Sequence, residues 1–276
     1  MALIKDVTDC STFAVRGLDI QLIHQMNKIS PGLLVRIDDL NVSLRKSTHP
    51  WMQAEAKATL AIVLASRGDQ KMMINSAYRT LAGQMLLRTQ YQSSRCGITA
   101  AAPPGKSNHN NASAIDIEDS VGWRSMLEAA GWKWMGSGDP VHYDCIAPGI
   151  QPLHQIAVQA FQLIWNLRRP NDLIATDGDF GAITASRLRY APAEGFSGLE
   201  IPRVLQLTVP QQIGNDIEVL QLALGKAGVS TTVNKVFGED TDRAVRQLQA
   251  INKVVVDGIV GTQTRQILQL PDPMRS

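Results

Sequence analysis

Hydrophobic residues recur at helical spacing in the first part of the chain. Residues 16–29 carry Leu18, Leu22 and Met26 on one helical face, and Ser30-Pro31-Gly32 follows as a typical helix end. Residues 51–67, WMQAEAKATLAIVLASR, have an alanine-rich pattern that ends at Gly68. The pattern therefore predicts two helices in this part of the chain.

Short apolar runs alternate with further helical patterns between residues 71 and 147. Strands are predicted in KMMINSAYRT, ASAIDIED and PVHYDCIA, and helices in LAGQMLLRTQYQ and GWRSMLEAAGW. The stretch CGITAAAPPGKSNHNN reads as a loop. Few strands among several helices indicate an α+β domain with a small antiparallel sheet, ending near Pro148-Gly149.

The rest of the chain contains an internal repeat. Residues 177–184 (DGDFGAIT), 237–241 (FGEDT) and 257–264 (DGIVGTQT) share a glycine turn and a following threonine, and each comes after an amphipathic helical stretch. We expect a unit of helix, glycine turn and a threonine that caps the next helix. Residues 190–202, YAPAEGFSGLEIP, are the expected internal boundary.

Composition and charge narrow the function classes. The chain has 276 residues, of which 44% are hydrophobic and 19% charged, and its formal net charge is +2. This composition is typical of a globular protein. Nucleic acid is not an expected partner, because basic residues do not cluster. No apolar run approaches the length that spans a membrane, so no membrane insertion is expected.

Cysteines and the N-terminal residues bear on the compartment. Cys10, Cys96 and Cys145 are too few for a disulfide framework, although a Cys96–Cys145 bridge stays possible. Residues 1–17 lack the pattern of a signal peptide. We therefore expect synthesis in the cytoplasm, with delivery by another system if the protein acts outside.

One set of polar residues fits metal-assisted amide hydrolysis. A catalytic zinc ion needs three protein ligands, which His109, Asp116 and His142 would supply. Asp139 would transfer protons, and Pro140 favours a turn that lets Asp139 and His142 reach one cleft. Taken one at a time, His109 could equally be a loop residue, Asp116 a solvent-facing strand residue and His142 a half-buried packing residue.

Two other readings of nearby residues stay open. Cys145 lies three residues after His142, so a cysteine–histidine acyl-transfer site is conceivable, although packing is the more common role. Asp144 either orients a ligand histidine or faces solvent from the strand.

The segment SNHNNASAID resembles the Ser-x-His-x-x-Gly-x-Ala-x-Asp signature of zinc D-alanyl-D-alanine carboxypeptidases and L-alanyl-D-glutamate endopeptidases of bacterial cell walls. DPVHYD resembles the Glu/Asp-x-x-His element of that family, and SAYRT its Ser-x-Tyr-Arg segment. The resemblance spans residues 55–147. Ala112 stands where the family usually has glycine, which would cost about 1 kcal/mol if the position needs a positive φ.

This resemblance implies a role for each matching residue. His109, Asp116 and His142 would bind zinc, and Asp139 would be the general base. Arg79 would hold the substrate and help to stabilise the oxyanion, with Ser107 and Gln84 as further substrate-binding residues. The expected activity is hydrolysis of the stem peptide of peptidoglycan. A D-alanyl-D-alanine carboxypeptidase is favoured because a terminal carboxylate suits Arg79.

The end of the chain, from Gly214, resembles the three-helix peptidoglycan-binding domain that many wall hydrolases carry. The expected organisation is a zinc peptidase domain over residues 1–150 (core 50–147), a helical linker or half repeat over 151–198, and an all-α peptidoglycan-binding domain over 199–276. Peptidoglycan is the expected partner, and a monomer is expected. Without a signal peptide, delivery by a phage holin or a secretion machine would bring the protein to the wall.

Three alternatives to the carboxypeptidase remain. An L-alanyl-D-glutamate endopeptidase, of the phage endolysin type, would use the same metal chemistry. A non-catalytic wall-binding protein would need no working metal site, but all four of His109, Asp116, Asp139 and His142 are present. A cysteine-dependent amidase would depend on Cys145.

Overall fold

The computed structural model describes residues 2–199, 204–209 and 211–270. The chain divides into two compact units, residues 1–199 and 200–276. Residues 200–203, beside the predicted start of the last domain, lie outside the described residues. No helix in the described residues is both long enough and apolar enough to cross a membrane.

The first unit combines helices with short strands. Its helices are α1 (Arg16–Ile29), α2 (Ala54–Ala65), α3 (Leu81–Gln92), α4 (Ser120–Ala129), α5 (His154–Arg168) and α6 (Ala182–Arg189), with 3-10 turns at Ile4–Asp6, Thr12–Val15 and Asn108–Asn111. Its strands are β1 (Val35–Arg36), β2 (Val42–Leu44), β3 (Trp51–Met52), β4 (Met72–Ser76), β5 (Ala114–Ile117), β6 (Trp132–Trp134) and β7 (His142–Cys145). The predicted strands β4, β5 and β7 are confirmed, and so are the predicted helices, except that Trp51–Met52 form β3 and Trp132 begins β6.

Five of these strands form one sheet in the order β2-β4-β5-β7-β6. The pairs β4–β5, β5–β7 and β6–β7 are antiparallel, whereas β2 runs parallel to β4. The expectation of a purely antiparallel sheet is therefore wrong at its β2 edge. A parallel neighbour needs a long connection, and α2 lies between β2 and β4 in the sequence.

One face of this sheet is apolar and covered by helices. Ile115 and Ile117 of β5 and Tyr143 of β7 are fully buried, and they share a hydrophobic cluster with Leu60 of α2 and Trp123 of α4. Because side chains alternate along a strand, the residues between them lie on the opposite face. That face carries Asp116, whose isoleucine neighbours fix its direction.

A second hydrophobic cluster holds the helices together. Leu22 and Met26 of α1, Leu86 of α3 and Phe161 of α5 are buried in it. Residues 151–198, predicted as a linker or half repeat, thus contribute α5 and α6 to the first unit. The predicted domain limits themselves stay a prediction.

A disulfide bond ties the N-terminal segment to the loop after α3. Cys10 and Cys96 are bonded, with their Cα atoms 5.4 Å apart. The Cys96–Cys145 bridge that the sequence left open is therefore not formed. Cys145 is a free, buried cysteine that packs in the cluster beneath the sheet.

The second unit has its own small core. Its helices are α7 (Asn215–Lys226), α8 (Glu239–Ile251) and α9 (Thr262–Ile267), and its strands are β8 (Gln212–Ile213) and β9 (Val236–Phe237). The strands form an antiparallel pair, so the expectation of an all-α domain is wrong at this small sheet. Leu220, Phe237, Val245 and Val260 are among the residues buried in its core.

The internal repeat has a physical basis in a buried glutamine on the helix before each turn. In the third copy, the Gln249 side chain accepts hydrogen bonds from the backbone N–H groups of Asp257 and Gly258, at 3.1 and 2.9 Å. Its amide nitrogen donates to the Asp257 carboxylate (2.8 Å) and the Ile259 carbonyl (2.9 Å). Gln162 and Gln221 bind their turns in the same way. The three copies therefore share a turn held by a buried glutamine, which the sequence pattern did not predict.

The predicted role of the threonines is wrong. The residues that cap α6, α8 and α9 are Gly181, Gly238 and Gly261, none of which forms a side-chain cap. Each threonine lies three residues later, inside the helix, where its hydroxyl donates back to a turn carbonyl, as Thr264 does to Ile259 at 3.3 Å. The threonines thus stabilise the turn rather than the helix end.

We predict that Gln249→Ala lowers the free energy of unfolding of the second unit by about 2 kcal/mol or more, because it leaves buried backbone N–H groups without partners. Calorimetric unfolding of the full chain measures this loss. Gln247→Ala is the matched control, since Gln247 is exposed on the same helix. Equal effects of the two substitutions would contradict the assigned role of Gln249.

Candidate metal centre

The register of two neighbouring strands brings Asp116 and His142 together. β5 and β7 are antiparallel, and Asp116 is the direct cross-strand partner of His142. Direct partners on one face have closely spaced side chains. Nδ1 of His142 accordingly lies 2.9 Å from Oδ1 of Asp116.

His109 reaches the same place from the 3-10 turn before β5. Ser107 begins this turn and forms a reciprocal capping box with Asn110. The turn is fastened to the segment after β4, because the backbone N–H of Arg79 donates to the His109 carbonyl at 3.0 Å. The third candidate ligand therefore depends on contacts with a distant part of the chain.

The hydrogen bond at one ring nitrogen of His109 leaves the other available. Nδ1 lies 2.8 Å from the Ala77 carbonyl, which can only accept, so the N–H is on Nδ1. Nε2 lies 3.2 Å from Oδ2 of Asp116, so a proton on Nε2 donates to this carboxylate, and loss of that proton frees a lone pair for a metal ion. This arrangement presents the nitrogen lone pair toward Asp116 and His142.

His109, Asp116 and His142 form one compact group of potential ligands. One ligand atom from each residue lies within 4.8 Å of the others. In the described part of the chain, no other group of three potential ligands has this spacing. The two histidines are buried. Two imidazoles and a carboxylate are the protein ligands of many hydrolytic zinc sites, which keep a fourth position open. The donor set therefore fits zinc.

The three groups interact strongly through their charges. Burial favours a raised pKa for Asp116, but hydrogen bonds to His109 and His142 outweigh it and hold the pKa well below its usual range. Burial tends to lower the pKa of His142, whereas hydrogen bonds to Asp116 and Asp144 raise it to about 9. A metal ion would take the place of the proton that Asp116 and His142 share.

The residues predicted to contact substrate line one cavity together with the ligand group. The cavity has a volume of about 250 Å³. All seven predicted site residues line it, namely Arg79, Gln84, Ser107, His109, Asp116, Asp139 and His142. Their individual roles stay predictions. Asp139 is exposed in the turn between β6 and β7, where the proline was expected to place it.

Arg79 is held in the cavity wall by two neutral partners. Its Nη1 donates to Oε1 of Gln84 at 3.2 Å, and its Nη2 donates to Oγ of Ser76 at 3.1 Å. Burial lowers the pKa of Arg79, and the negative charge of Asp116 opposes that effect. Since a guanidinium has five N–H donors, others remain for a bound carboxylate or carbonyl.

The structure removes Cys145 from the candidate chemistry. Cys145 lies three positions after His142 on β7, so the two side chains lie on opposite faces of the sheet. The sulfur atom packs 3.6 Å from Oγ1 of Thr59 on the covered side. A cysteine–histidine pair is therefore not formed.

Sequence reasoning missed Ser76 and Asn108. Ser76 touches both Arg79 and His109, and it begins the SAYRT segment that carries Arg79. Asn108 donates to Asp144 at 2.8 Å. The position of Asn108 directly before a candidate ligand indicates that it lies near the site, but nothing in the sequence indicates that its side chain reaches β7.

Comparison with known proteins finds a similarity at the end of the chain. Residues 213–268 match the model of a family described as a putative peptidoglycan binding domain. The second unit is similar to that family. No curated protein matches the chain. The match supports a C-terminal peptidoglycan-binding domain, with peptidoglycan as its partner, and the matched range contains no residue of the cavity in the first unit.

Ala112 stands where the zinc peptidase family that the sequence resembles usually has glycine, and its backbone conformation is unfavourable for alanine. Its backbone is left-handed, with φ of 52° and ψ of 33°, at the end of the turn that carries His109. The left-handed region costs a residue with a side chain roughly 1–2 kcal/mol, which exceeds the roughly 0.5–1 kcal/mol entropic cost of glycine. The turn therefore forms in spite of Ala112.

We expect Ala112→Gly to raise the free energy of unfolding of the first unit by up to about 1 kcal/mol. Urea unfolding followed by tryptophan fluorescence reports this unit alone, because all five tryptophans lie in it. Ala114→Gly is the matched control at a buried, extended position, and it should destabilise the unit. A stability loss for Ala112→Gly as large as that of the control would be the contradicting result.

Proposed function

We propose that the chain is a zinc-dependent peptidase that hydrolyses the stem peptide of bacterial peptidoglycan, as a D-alanyl-D-alanine carboxypeptidase. The observation that carries this proposal is the convergence of His109, Asp116 and His142 with Asp139 and Arg79 around one cavity. The similarity of residues 213–268 to a peptidoglycan-binding family supports the substrate class.

Hydrolysis of an amide requires an activated water molecule and a proton for the leaving amine. A zinc ion, when bound by His109, Asp116 and His142, acidifies water and polarises a carbonyl group. Asp139, exposed at the edge of the cavity, takes the proton from the attacking water and returns it to the amine nitrogen as the C–N bond breaks. The products are a free carboxylate and a free amine.

Arg79 favours a substrate with a free carboxylate. Among the described residues that line the cavity, it is the one with a permanent positive charge. A charge-assisted hydrogen bond from a guanidinium to a carboxylate is stronger than one to a neutral group. A terminal D-alanine would place its carboxylate at Arg79, with Gln84 holding the guanidinium in place.

The second unit would act by raising the local concentration of the peptidase on its substrate. Once the linked binding module holds the wall, binding of a nearby stem peptide by the first unit becomes intramolecular. Weak binding of the stem peptide then suffices for turnover. The proposal places the site of action at the cell wall, after delivery by a phage lysis system or a secretion machine.

The test is product analysis by mass spectrometry after incubation of the zinc-loaded protein with a synthetic stem pentapeptide that ends in D-Ala-D-Ala. We expect release of free D-alanine and its loss after treatment with a chelator. Asp139→Ala should keep zinc but lose at least about 100-fold in rate, since it removes the proton-transfer group. Asp69→Ala, an exposed carboxylate outside the cavity, is the matched control.

The products also separate the alternatives. Cleavage between L-Ala and D-Glu would reassign the chain as an endopeptidase. If the zinc-loaded protein leaves the peptides intact, the chain is a wall-binding protein without this peptidase activity. Full activity of Asp139→Ala would exclude Asp139 as the base.

A further inference from the structure

Asp144 contacts both elements that carry the candidate histidine ligands, although it does not belong to the ligand group. We propose that Asp144 is a positioning residue that orients His142 for metal binding and locks the His109 turn onto β7. Its catalytic consequence rests on the proposed function, whereas its effect on metal affinity does not.

The first contact is within β7. Asp144 follows His142 by two residues, so both side chains lie on the same face of the sheet. Oδ1 of Asp144 lies 3.0 Å from Nε2 of His142, while Nδ1 of the same ring lies 2.9 Å from Asp116. The ring is thus held at both nitrogens, and rotation about its side-chain torsions would break two contacts.

The second contact crosses to the turn that carries His109. Nδ2 of Asn108 donates to Oδ2 of Asp144 at 2.8 Å. Asn108 directly precedes His109, so this bond ties one ligand-bearing element to the other. Asp144 has Ala114 as its cross-strand partner on β5, which has only a methyl group, and Lys133 as its partner on β6.

The geometry argues against Asp144 as a ligand itself. The two nitrogens of an imidazole point away from each other, and Asp144 lies at the nitrogen opposite Asp116. A metal ion between His109, Asp116 and Nδ1 of His142 would leave Nε2 as an N–H group. That N–H would donate to Asp144, which is the partner that a ligand histidine usually needs.

A direct test measures zinc affinity by competition with a chromophoric chelator on the full chain. Loss of the residue that hydrogen-bonds a ligand histidine typically weakens metal binding 10–100-fold, and we expect a decrease of this size for Asp144→Ala. Asp144→Asn should lose less, because its amide oxygen still accepts the N–H of His142. Asn108→Ala removes only the tie to the turn and should also show a smaller loss.

Controls separate positioning from general stability. Glu118→Ala removes a carboxylate two residues after Asp116 that contacts Arg45 and no candidate ligand. The zinc affinity of this variant should equal that of the wild type. Tryptophan fluorescence in urea shows whether each zinc-free variant is folded. NMR of the zinc-loaded protein should show a slowly exchanging Nε2–H proton on His142 that disappears in Asp144→Ala. A purely structural role would lower the stability of the zinc-free chain and leave zinc affinity and this proton unchanged.

The outcomes distinguish this inference from the proposed function. Wild-type affinity in both Asp144→Ala and Asn108→Ala would overturn the role of Asp144, whatever the peptidase assay shows. A wild-type chain that binds zinc and cleaves no stem peptide would overturn the proposed function and leave the Asp144 result standing. A wild-type chain without zinc affinity would overturn both.

Discussion

Asp116 and His142 face each other across β5 and β7, and the candidate site depends on that pairing. Side chains alternate along a strand, so a slip of one residue would move Asp116 to the covered face and an isoleucine to the cavity. The buried side chains of Ile115, Ile117 and Tyr143 oppose such a slip, because they would have to leave the core. The hydrophobic effect that forms the sheet thus also fixes two of the three candidate ligands.

The third ligand depends on contacts that connect distant parts of the chain. His109 lies in a short turn that cannot hold a ligand by itself. The turn is fixed by Arg79 and Ala77 from the segment after β4 and by Asp144 from β7. These contacts are local in space and distant in sequence, so assembly of the site follows the fold of the whole first unit. The left-handed Ala112 persists because this surrounding structure determines the path of the turn.

Much of the first unit could be predicted from residue patterns. The period of apolar residues indicated α1 and α3, and alternation around Asp116 indicated β5. The two-residue strands β1 and β3 give too little alternation to detect. The parallel pairing of β2 with β4 depends on tertiary packing, as does the pairing of Cys10 with Cys96.

The candidate site shows the same division. Residue types and a family resemblance led to the seven residues that line the cavity, because metal chemistry restricts which side chains can serve. The supporting contacts of Ser76, Asn108 and Asp144 needed three-dimensional positions. The threonines of the repeat were misread as caps, because the capping preference of threonine is visible in sequence and the glutamine-held turn is not.

Zinc content together with X-ray absorption at the zinc edge tests the central claim most directly. The account predicts one zinc ion per chain, with nitrogen and oxygen ligands at about 2.0–2.2 Å and imidazole scattering from two histidines. His109→Ala should remove the bound ion. Sulfur scattering at about 2.3 Å, or an unchanged zinc content in His109→Ala, would contradict a metal centre built from His109, Asp116 and His142.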